Sequence, residues 1–186
     1  MRTATYQIDR ESILQRTFSF LVNNGLENVT IRELCKGTGL AQGTLYYWFG
    51  DKMNIICESA EYGFLNVADK IFEYVFNNMN DMRKFFSECL GEIIKYKKEL
   101  RFIYQMAASP VFGERIRASG KEFDVVYNKY AEKLAEVLGC DEETLLPLVY
   151  MFISTVLDYV IWEGGKNSQI QLEYIYSLVS EKILKK

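Results

Sequence analysis

Few side chains in this 186-residue sequence are suited to covalent or acid–base chemistry. It contains no histidine, which excludes Ser-His-Asp catalysis, Cys-His catalysis and histidine-ligated zinc within one chain. The cysteines are Cys35, Cys57, Cys89 and Cys140; they are far apart in the chain, and we expect them to be reduced, small apolar core residues. We therefore predict neither an enzyme nor a metal or cofactor site.

Polar side chains suited to molecular recognition are concentrated in one segment, Thr30–Lys52, which reads TIRELCKGTGLAQGTLYYWFGDK. Glutamine can pair with both hydrogen-bonding groups of adenine, and threonine or an aromatic ring can contact the methyl group of thymine. Lysine and the free N–H groups at a helix N-terminus can bind phosphates. These residue types indicate double-stranded DNA as a partner. The charge alone does not, since residues 1–53 carry 6 basic and 5 acidic side chains.

The elements that would position these side chains are two short helices joined by a tight turn. Thr30 and Glu33 have the spacing of a capping box, which predicts a helix that begins after Thr30. Gly39 stands at the turn, where a positive φ is needed, and the second helix covers roughly Gln42–Tyr47. A helix-turn-helix of this kind places its second helix in the major groove. Asp51 then caps a long fourth helix with a continuous apolar stripe.

The stretch from Asp9 to Cys57 resembles the DNA-binding domain of the TetR family of bacterial transcriptional regulators. The resemblance rests on Ile13, Leu14, Phe20, Gly25, Thr30–Leu34, Gly39, Gly43–Tyr46, Phe49 and Lys52. It implies that phosphates are contacted by Thr30, Tyr46 and Lys52, and that Gly43 allows close approach to the DNA backbone. It also implies that the groove is faced by Arg32, Gln42, Thr44 and Tyr47.

Two features of this segment depart from the family pattern or allow another interpretation. Ala41 stands where the family usually has Ser or Thr, so the second helix should lack a side-chain N-cap, a loss of about 1 kcal/mol. The four consecutive aromatic residues could be core residues, but successive residues on a helix lie about 100° apart and cannot all face one side. We therefore expect Trp48 and Phe49 to pack inward and Tyr46 and Tyr47 to face outward.

The whole chain is predicted to be all-α. Only two prolines occur, and apolar residues recur with helical spacing, which gives about nine helices. Residues 1–53 form the predicted helix-turn-helix domain, and residues 54–186 form a larger helical domain for effector binding and dimerisation. Ser168 and Gln171 have capping-box spacing and predict the start of the last helix.

Neither the N-terminus nor the most apolar segment predicts a secreted or membrane protein. The first ten residues, MRTATYQIDR, lack the apolar region of a signal peptide, so we expect a cytoplasmic protein. The stretch Thr144–Trp162 approaches the length of a membrane span, which is about 20 residues. It contains Pro147 and Asp158, and we expect a helix that is buried on nearly all sides.

The resemblance implies that the C-terminal domain binds an effector and forms a homodimer. The helices that line the pocket in similar proteins here carry Phe85, Tyr104, Tyr127, Tyr130 and Trp162. Each of these could instead be a core residue; as a pocket, they favour a small, largely apolar effector. The last two helices are the dimer candidates, with periodicity alone selecting Leu148, Phe152, Leu157, Leu172, Ile175 and Val179.

The sequence thus predicts a DNA-binding transcriptional regulator. The resemblance to the TetR family implies that it is a repressor. It would bind a palindromic operator as a homodimer and be released by its effector, which in the resembled family tilts the fourth helix. The alternative is a helical adaptor or ligand-binding bundle without sequence-specific DNA binding. The missing cap at Ala41 leaves that alternative open.

Overall fold

The computed structural model describes residues 9–26, 29–119 and 121–184, without the side chains of residues 117, 119 and 121–124. All regular structure in these ranges is helical, which confirms the all-α prediction. The α-helices are α1 (Arg10–Asn24), α2 (Ile31–Thr38), α3 (Gln42–Phe49), α4 (Lys52–Asn77), α5 (Met82–Ile93), α6 (Lys97–Ala108), α7 (Gly113–Ser119), α8 (Lys121–Leu138), α9 (Glu142–Trp162) and α10 (Gly165–Val179). Short 3-10 turns occupy 79–81 and 94–96, and a π-helical turn occupies 180–184.

Local sequence signals set the limits of the N-terminal helices as predicted. Both hydrogen bonds of the capping box at the start of α2 are present. The Thr30 N–H donates to Glu33 Oε2 at 2.7 Å, and the Glu33 N–H donates to Thr30 Oγ1 at 3.2 Å. Asp51 caps α4 by accepting the Asn54 N–H at 2.8 Å. Gly39 ends α2 in the left-handed region, with φ at 70°, which glycine adopts without strain.

The capping box predicted at Ser168 and Gln171 is wrong. Helix α10 already begins at Gly165, after Gly164, and no side chain caps it. Ser168 is therefore inside the first turn, fully buried, with its hydroxyl 3.4 Å from the Gly164 carbonyl oxygen. The sequence spacing was compatible with a cap, but the two glycines allow the helix to start earlier.

The chain forms two compact units. One contains the described residues of Met1–Asn66 and Phe102–Ile116, and the other contains those of Val67–Arg101 and Arg117–Lys186. The first unit holds α1, α2, α3 and the first part of α4, and the second holds most of the C-terminal helices. The predicted domain boundary after residue 53 was placed at the end of the helix-turn-helix motif, whereas the two units are defined by contacts between residues. The predicted boundary therefore stays a prediction.

Helix α9 has one side in the core of the second unit and one side outside it. Of the described helices, only α9 has the length and composition that a membrane span requires; its most apolar window has a mean hydropathy of 1.8 and is 39% buried. The buried side packs against α5, α8 and α10. Leu146, Tyr150, Leu157 and Ile161 on the other side are exposed or half-buried, so the prediction of a helix buried on nearly all sides is not met within one chain.

Candidate nucleic-acid interface and effector cavity

A small apolar core holds α2 and α3 in place. Leu34 of α2 and Leu45 of α3 are fully buried, and Leu40 in the turn between them is 4% exposed. The left-handed Gly39 lets the chain reverse, after which the Leu40 N–H donates to the Cys35 carbonyl at 3.2 Å. The turn is therefore fixed by both packing and hydrogen bonding, which gives α3 a defined orientation within its unit.

The end of α3 is tied to α1 and α4. Phe49 is 4% exposed, and the guanidinium of Arg10 lies 5.3 Å from the centre of its ring. Arg10 also forms an ion pair with Glu58 of α4. The Asn54 side chain donates to the Phe49 carbonyl at 2.7 Å and so satisfies an acceptor that the helix end leaves free.

The residues predicted to contact DNA remain accessible on this framework. Those that are exposed are Thr30, Arg32, Gln42, Gly43, Tyr47 and Lys52, and those that are half-buried are Thr44 and Tyr46. Tyr47 has the largest exposed fraction of the aromatic residues here, at 82%. None of these residues is buried in the core, so all are accessible to a ligand. Their contact with DNA stays a prediction.

Lys52 has a structural partner besides any phosphate. Its ammonium group donates to the Val29 carbonyl at 2.9 Å, which joins the start of α4 to the residues before α2. Hydrogen bonds from the backbone and the hydroxyl of Thr30 lower the pKa of Glu33, and the charge of Lys52 lowers it further. An ammonium group has three donors, so Lys52 keeps donors for a phosphate.

The first turn of α3 is closed by its backbone alone. Ala41 occupies the N-cap position and offers no side-chain hydrogen bond, as predicted. Its carbonyl accepts the N–H groups of Thr44 at 3.0 Å and Leu45 at 3.2 Å.

The run of four aromatic residues divides differently from the prediction. Phe49 is buried and Tyr47 is exposed, as expected, but Trp48 is 40% exposed, so its predicted inward packing is wrong. Leu45 and Phe49, four residues apart, occupy the core side of α3, and Trp48 lies about 60° from Leu45 and about 100° from Phe49 around the helix. The Trp48 ring instead packs edge-on against Tyr47, with 5.6 Å between ring centres.

The helix-turn-helix falls within a known family. The family model for bacterial regulatory proteins of the tetR family matches residues 13–58. In these residues the chain is similar to the TetR family. The match covers most of α1, all of α2 and α3, and the first two turns of α4, the segment whose motif carried the resemblance. No curated protein sequence gives a significant match.

Solved structures extend the likeness to the fold of nearly the whole chain. One is a protein from Rhodococcus sp. described as a TetR-family transcriptional regulator, with a TM-score of 0.59 and 14% identity over 91% of this chain and 97% of that one. Another is FadR from Thermus thermophilus, a TetR-family transcriptional repressor in complex with lauroyl-CoA, with a TM-score of 0.54 and 15% identity over 94% and 95%. At these identities the likeness concerns the fold.

The second unit contains a cavity of about 50 Å³ among α4, α5, α8, α9 and α10. Of the predicted pocket residues, Phe85 lines it. Trp162 is the last residue of α9 and is 76% exposed, and Tyr104 is 41% exposed and belongs to the other unit. Tyr127 and Tyr130 lie on α8 outside the lining. The prediction therefore found one wall residue, and the structure does not bring the five side chains together.

Tyr130 supports the cavity wall from behind. Its ring stacks on Phe72, which lines the cavity, with 3.7 Å between centres and planes 5° apart. Its hydroxyl donates to Asp69 on α4, one turn before Phe72. Burial, and then the hydrogen bond and charge of Asp69, raise the pKa of Tyr130. Tyr130 thus fixes α8 to α4 beside the cavity.

Most residues predicted for the dimer interface are internal. Leu148, Leu172, Ile175 and Val179 are at most 6% exposed within a single chain, so they are unsuitable as an interface between chains. Leu148, Ile175 and Val179, together with the half-buried Phe152, line the cavity instead. For Leu148 the error has a physical cause, because α9 is apolar on nearly all sides and periodicity cannot identify which side faces the bundle. For Leu172, Ile175 and Val179 the apolar side of α10 was identified, but it faces the core of the same chain. Leu157 remains half-buried on the outer side.

Proposed function

We propose that this protein is a transcriptional repressor that binds a palindromic operator as a homodimer through α3. The observation that carries the proposal is the exposure of Gln42 and Tyr47 on a helix whose other side is fixed by the buried Leu45 and Phe49. A rigid helix with exposed reading residues is what direct readout in the major groove requires.

Selection of bound sequences from random duplex DNA tests this function directly. A homodimer with two-fold symmetry should select a palindrome with half-sites about 34–36 Å apart, one turn of DNA. Recovery of no enriched sequence by the folded dimer would contradict the proposal and favour the alternative, a helical bundle without sequence-specific DNA binding.

A charge substitution locates the DNA surface. Arg32→Gln should weaken binding to the selected duplex and make the slope of log K against log salt concentration shallower, because it removes a positive charge from the groove-facing side of α2. Arg16→Gln on α1 is the matched control, because Arg16 is also exposed but lies outside the proposed surface. Equal effects of the two substitutions would show that α2 and α3 do not face the DNA.

We propose that the homodimer forms through the outer sides of α9 and α10. Tyr150 of α9 is 37% exposed, and Leu157 and Ile161 beside it are half-buried. Ile170 and Tyr174 of α10 are 55% and 60% exposed. Water contact with this many apolar side chains is unfavourable, and a second copy of the chain would remove it.

A charge placed in this surface should separate the subunits. Leu157→Glu should shift sedimentation from dimer to monomer and weaken operator binding, whereas Val125→Glu should change neither. Val125 is a suitable control because it is apolar, 61% exposed and on α8. A dimer that survives Leu157→Glu unchanged would place the interface elsewhere.

We propose further that a small, largely apolar effector enters the cavity and releases the DNA. The FadR relative is in complex with lauroyl-CoA, a ligand with a long apolar part. Helix α4 begins at Lys52, directly after α3, and continues to Phe72 and Val75 in the cavity wall. Movement of that wall would therefore act on a helix that starts at the DNA-binding module. Crystals with and without DNA test this: an unchanged separation of the two Tyr46 residues across the dimer would contradict it.

A further inference from the structure

The ring of Tyr47 has little support from the rest of the chain. Tyr47 is 82% exposed on α3, and Gly43, one turn earlier on the same side, has open space around it. Within the described residues, the Tyr47 side chain makes no hydrogen bond, and its ring packs against one other ring, that of Trp48. The orientation in which the Tyr47 ring would meet a base therefore depends on this contact.

Trp48 lies between the core side of α3 and Tyr47. Around the helix it is about 60° from the buried Leu45 and about 100° from Tyr47. Trp48 is 40% exposed, so more than half of its surface is covered, whereas most of Tyr47 is in water. The two rings meet edge to face, with 5.6 Å between centres and 83° between planes, which is an arrangement that aromatic pairs prefer. The better covered Trp48 thus holds the exposed Tyr47.

Support of this kind affects both affinity and base discrimination. A side chain that becomes immobile only on binding weakens an association by about two- to twelvefold. A homodimer presents two copies of Tyr47 to a palindrome, so the effects multiply to about four- to hundredfold. Thymine is distinguished by its methyl group, which an aromatic ring contacts only from a defined position. A mobile ring would therefore also lose its preference for one base.

We propose that Trp48 is a positioning residue for base recognition, which holds the Tyr47 ring where it reads one base pair in each half-site. The inference deepens the proposed function and rests on it, because it requires sequence-specific binding through α3. Trp48 acts through Tyr47 and does not itself discriminate between bases.

Selection from random duplex DNA, repeated with variants, tests the inference. Tyr47→Ala should remove the preference at one symmetric pair of positions in the selected palindrome, which identifies the base pair that Tyr47 reads. Trp48→Ala should relax the preference at the same positions and leave the others intact. It should also weaken binding of the original palindrome by about four- to hundredfold. Relaxation at every position would indicate a general disturbance of α3, and relaxation at other positions would indicate base contact by Trp48 itself; either result would overturn the proposal.

A double-mutant cycle separates action through Tyr47 from direct contact with DNA. In a Tyr47→Ala background, Trp48→Ala should change the affinity for the palindrome by less than about twofold, because no ring remains to be held. A loss of equal size in both backgrounds would overturn the proposal. Trp48→Leu, which also lacks a ring, replaces Trp48→Ala in both experiments if that variant fails to fold.

A conservative variant tests whether the ring contact matters. Trp48→Phe keeps an aromatic ring beside Tyr47 and should bind the palindrome within about threefold of the unchanged protein. Binding as weak as that of Trp48→Ala would overturn the proposal.

Tyr104→Ala is the matched control for the loss of a partly exposed aromatic residue. Tyr104 is 41% exposed and belongs to the same unit as Trp48, but it lies on α6, outside the helix-turn-helix. Its substitution should change neither the affinity nor the selected sequence. A loss equal to that of Trp48→Ala would overturn the proposal, because it would show an effect that is not specific to the contact with Tyr47.

The unchanged protein separates the inference from the proposed function. If it selects no sequence, the regulator function is refuted and the inference falls with it. If it selects a palindrome that Tyr47→Ala or Trp48→Ala leaves unaltered, the positioning role alone is refuted.

Discussion

Gly63 of α4 permits a close helix contact that any other residue would disrupt. A Cβ at this position would lie 2.2 Å from Cε2 and 2.3 Å from Cζ of Phe18 in α1. The Phe18 ring cannot turn into solvent, because it is 9% exposed and packs edge-on against Phe102 with 5.8 Å between ring centres. Gly63→Ala therefore forces the helices apart.

The size of the effect follows from two opposing contributions. Overpacking of a core typically costs about 1–3 kcal/mol, and alanine in place of glycine inside a helix returns up to about 1 kcal/mol. Because the clash involves three ring atoms below 2.5 Å, we take the upper part of that range. Gly63→Ala should lower the free energy of unfolding by about 2 kcal/mol, measured by urea denaturation followed by far-UV circular dichroism.

Two comparisons isolate the clash. Gly91 is inside α5, and a Cβ there would have no neighbour within 4 Å, so Gly91→Ala should stabilise the protein by up to about 1 kcal/mol. In a Phe18→Ala background the ring is absent, and Gly63→Ala should become neutral or stabilising. A destabilisation of equal size in both backgrounds would show that the contact with Phe18 is not the cause.

Three further predictions concern the cap of α3, the capping box of α2 and the cysteines. Ala41→Ser should supply the missing N-cap and raise the free energy of unfolding by about 1 kcal/mol; no increase in urea denaturation would show that the backbone already satisfies the turn. The lowered pKa of Glu33 contributes stability that is present above the ordinary glutamate pKa of about 4.3 and is lost as the pH falls through the lowered value. Thr30→Ala removes the Thr30 hydroxyl, one of the groups that lower this pKa. The thermal midpoint of this variant should therefore depend less on pH in that range than the midpoint of the unchanged protein. Burial raises the pKa of Cys57 to about 11 and of Cys89 to about 12, so neither should react with a disulfide reagent at neutral pH until the protein unfolds; fast labelling of either in the folded protein, identified by mass spectrometry, would contradict this.

The DNA-binding module was predictable because its signals are local. The capping box of Thr30 and Glu33, the left-handed Gly39 and the uncapped Ala41 each depend on residues within one or two turns, and all were confirmed. Trp48 was misplaced because its direction depends on which residues of α3 the rest of the unit covers. Leu45 and Phe49 take that side, and the sequence alone did not show that Trp48, next to Phe49, lies outside it.

The proposed effector cavity and the proposed dimer surface were less predictable because they depend on long-range packing. Phe85 belongs to the wall, but so do aliphatic residues such as Leu134 and Val149, which have no feature that separates them from ordinary core. Trp162 has the residue type of a pocket but lies at the exposed end of α9. On a helix that is apolar all round, periodicity indicates that some side is buried and leaves open which side it is.

Helix α9 connects the proposed effector site to the proposed dimer interface, because each uses one of its sides. Leu148, Val149 and Phe152 face the cavity, whereas Tyr150 and Leu157 lie on or beside the outer surface. A ligand that widens a cavity of about 50 Å³ must displace part of its wall, and a closely packed interior transmits such a shift rather than absorbing it. Movement of α9 would change the geometry between subunits, while movement of Phe72 would act on α4. The proposed effector would therefore alter the spacing of the two α3 helices through the proposed dimer interface as well as through α4.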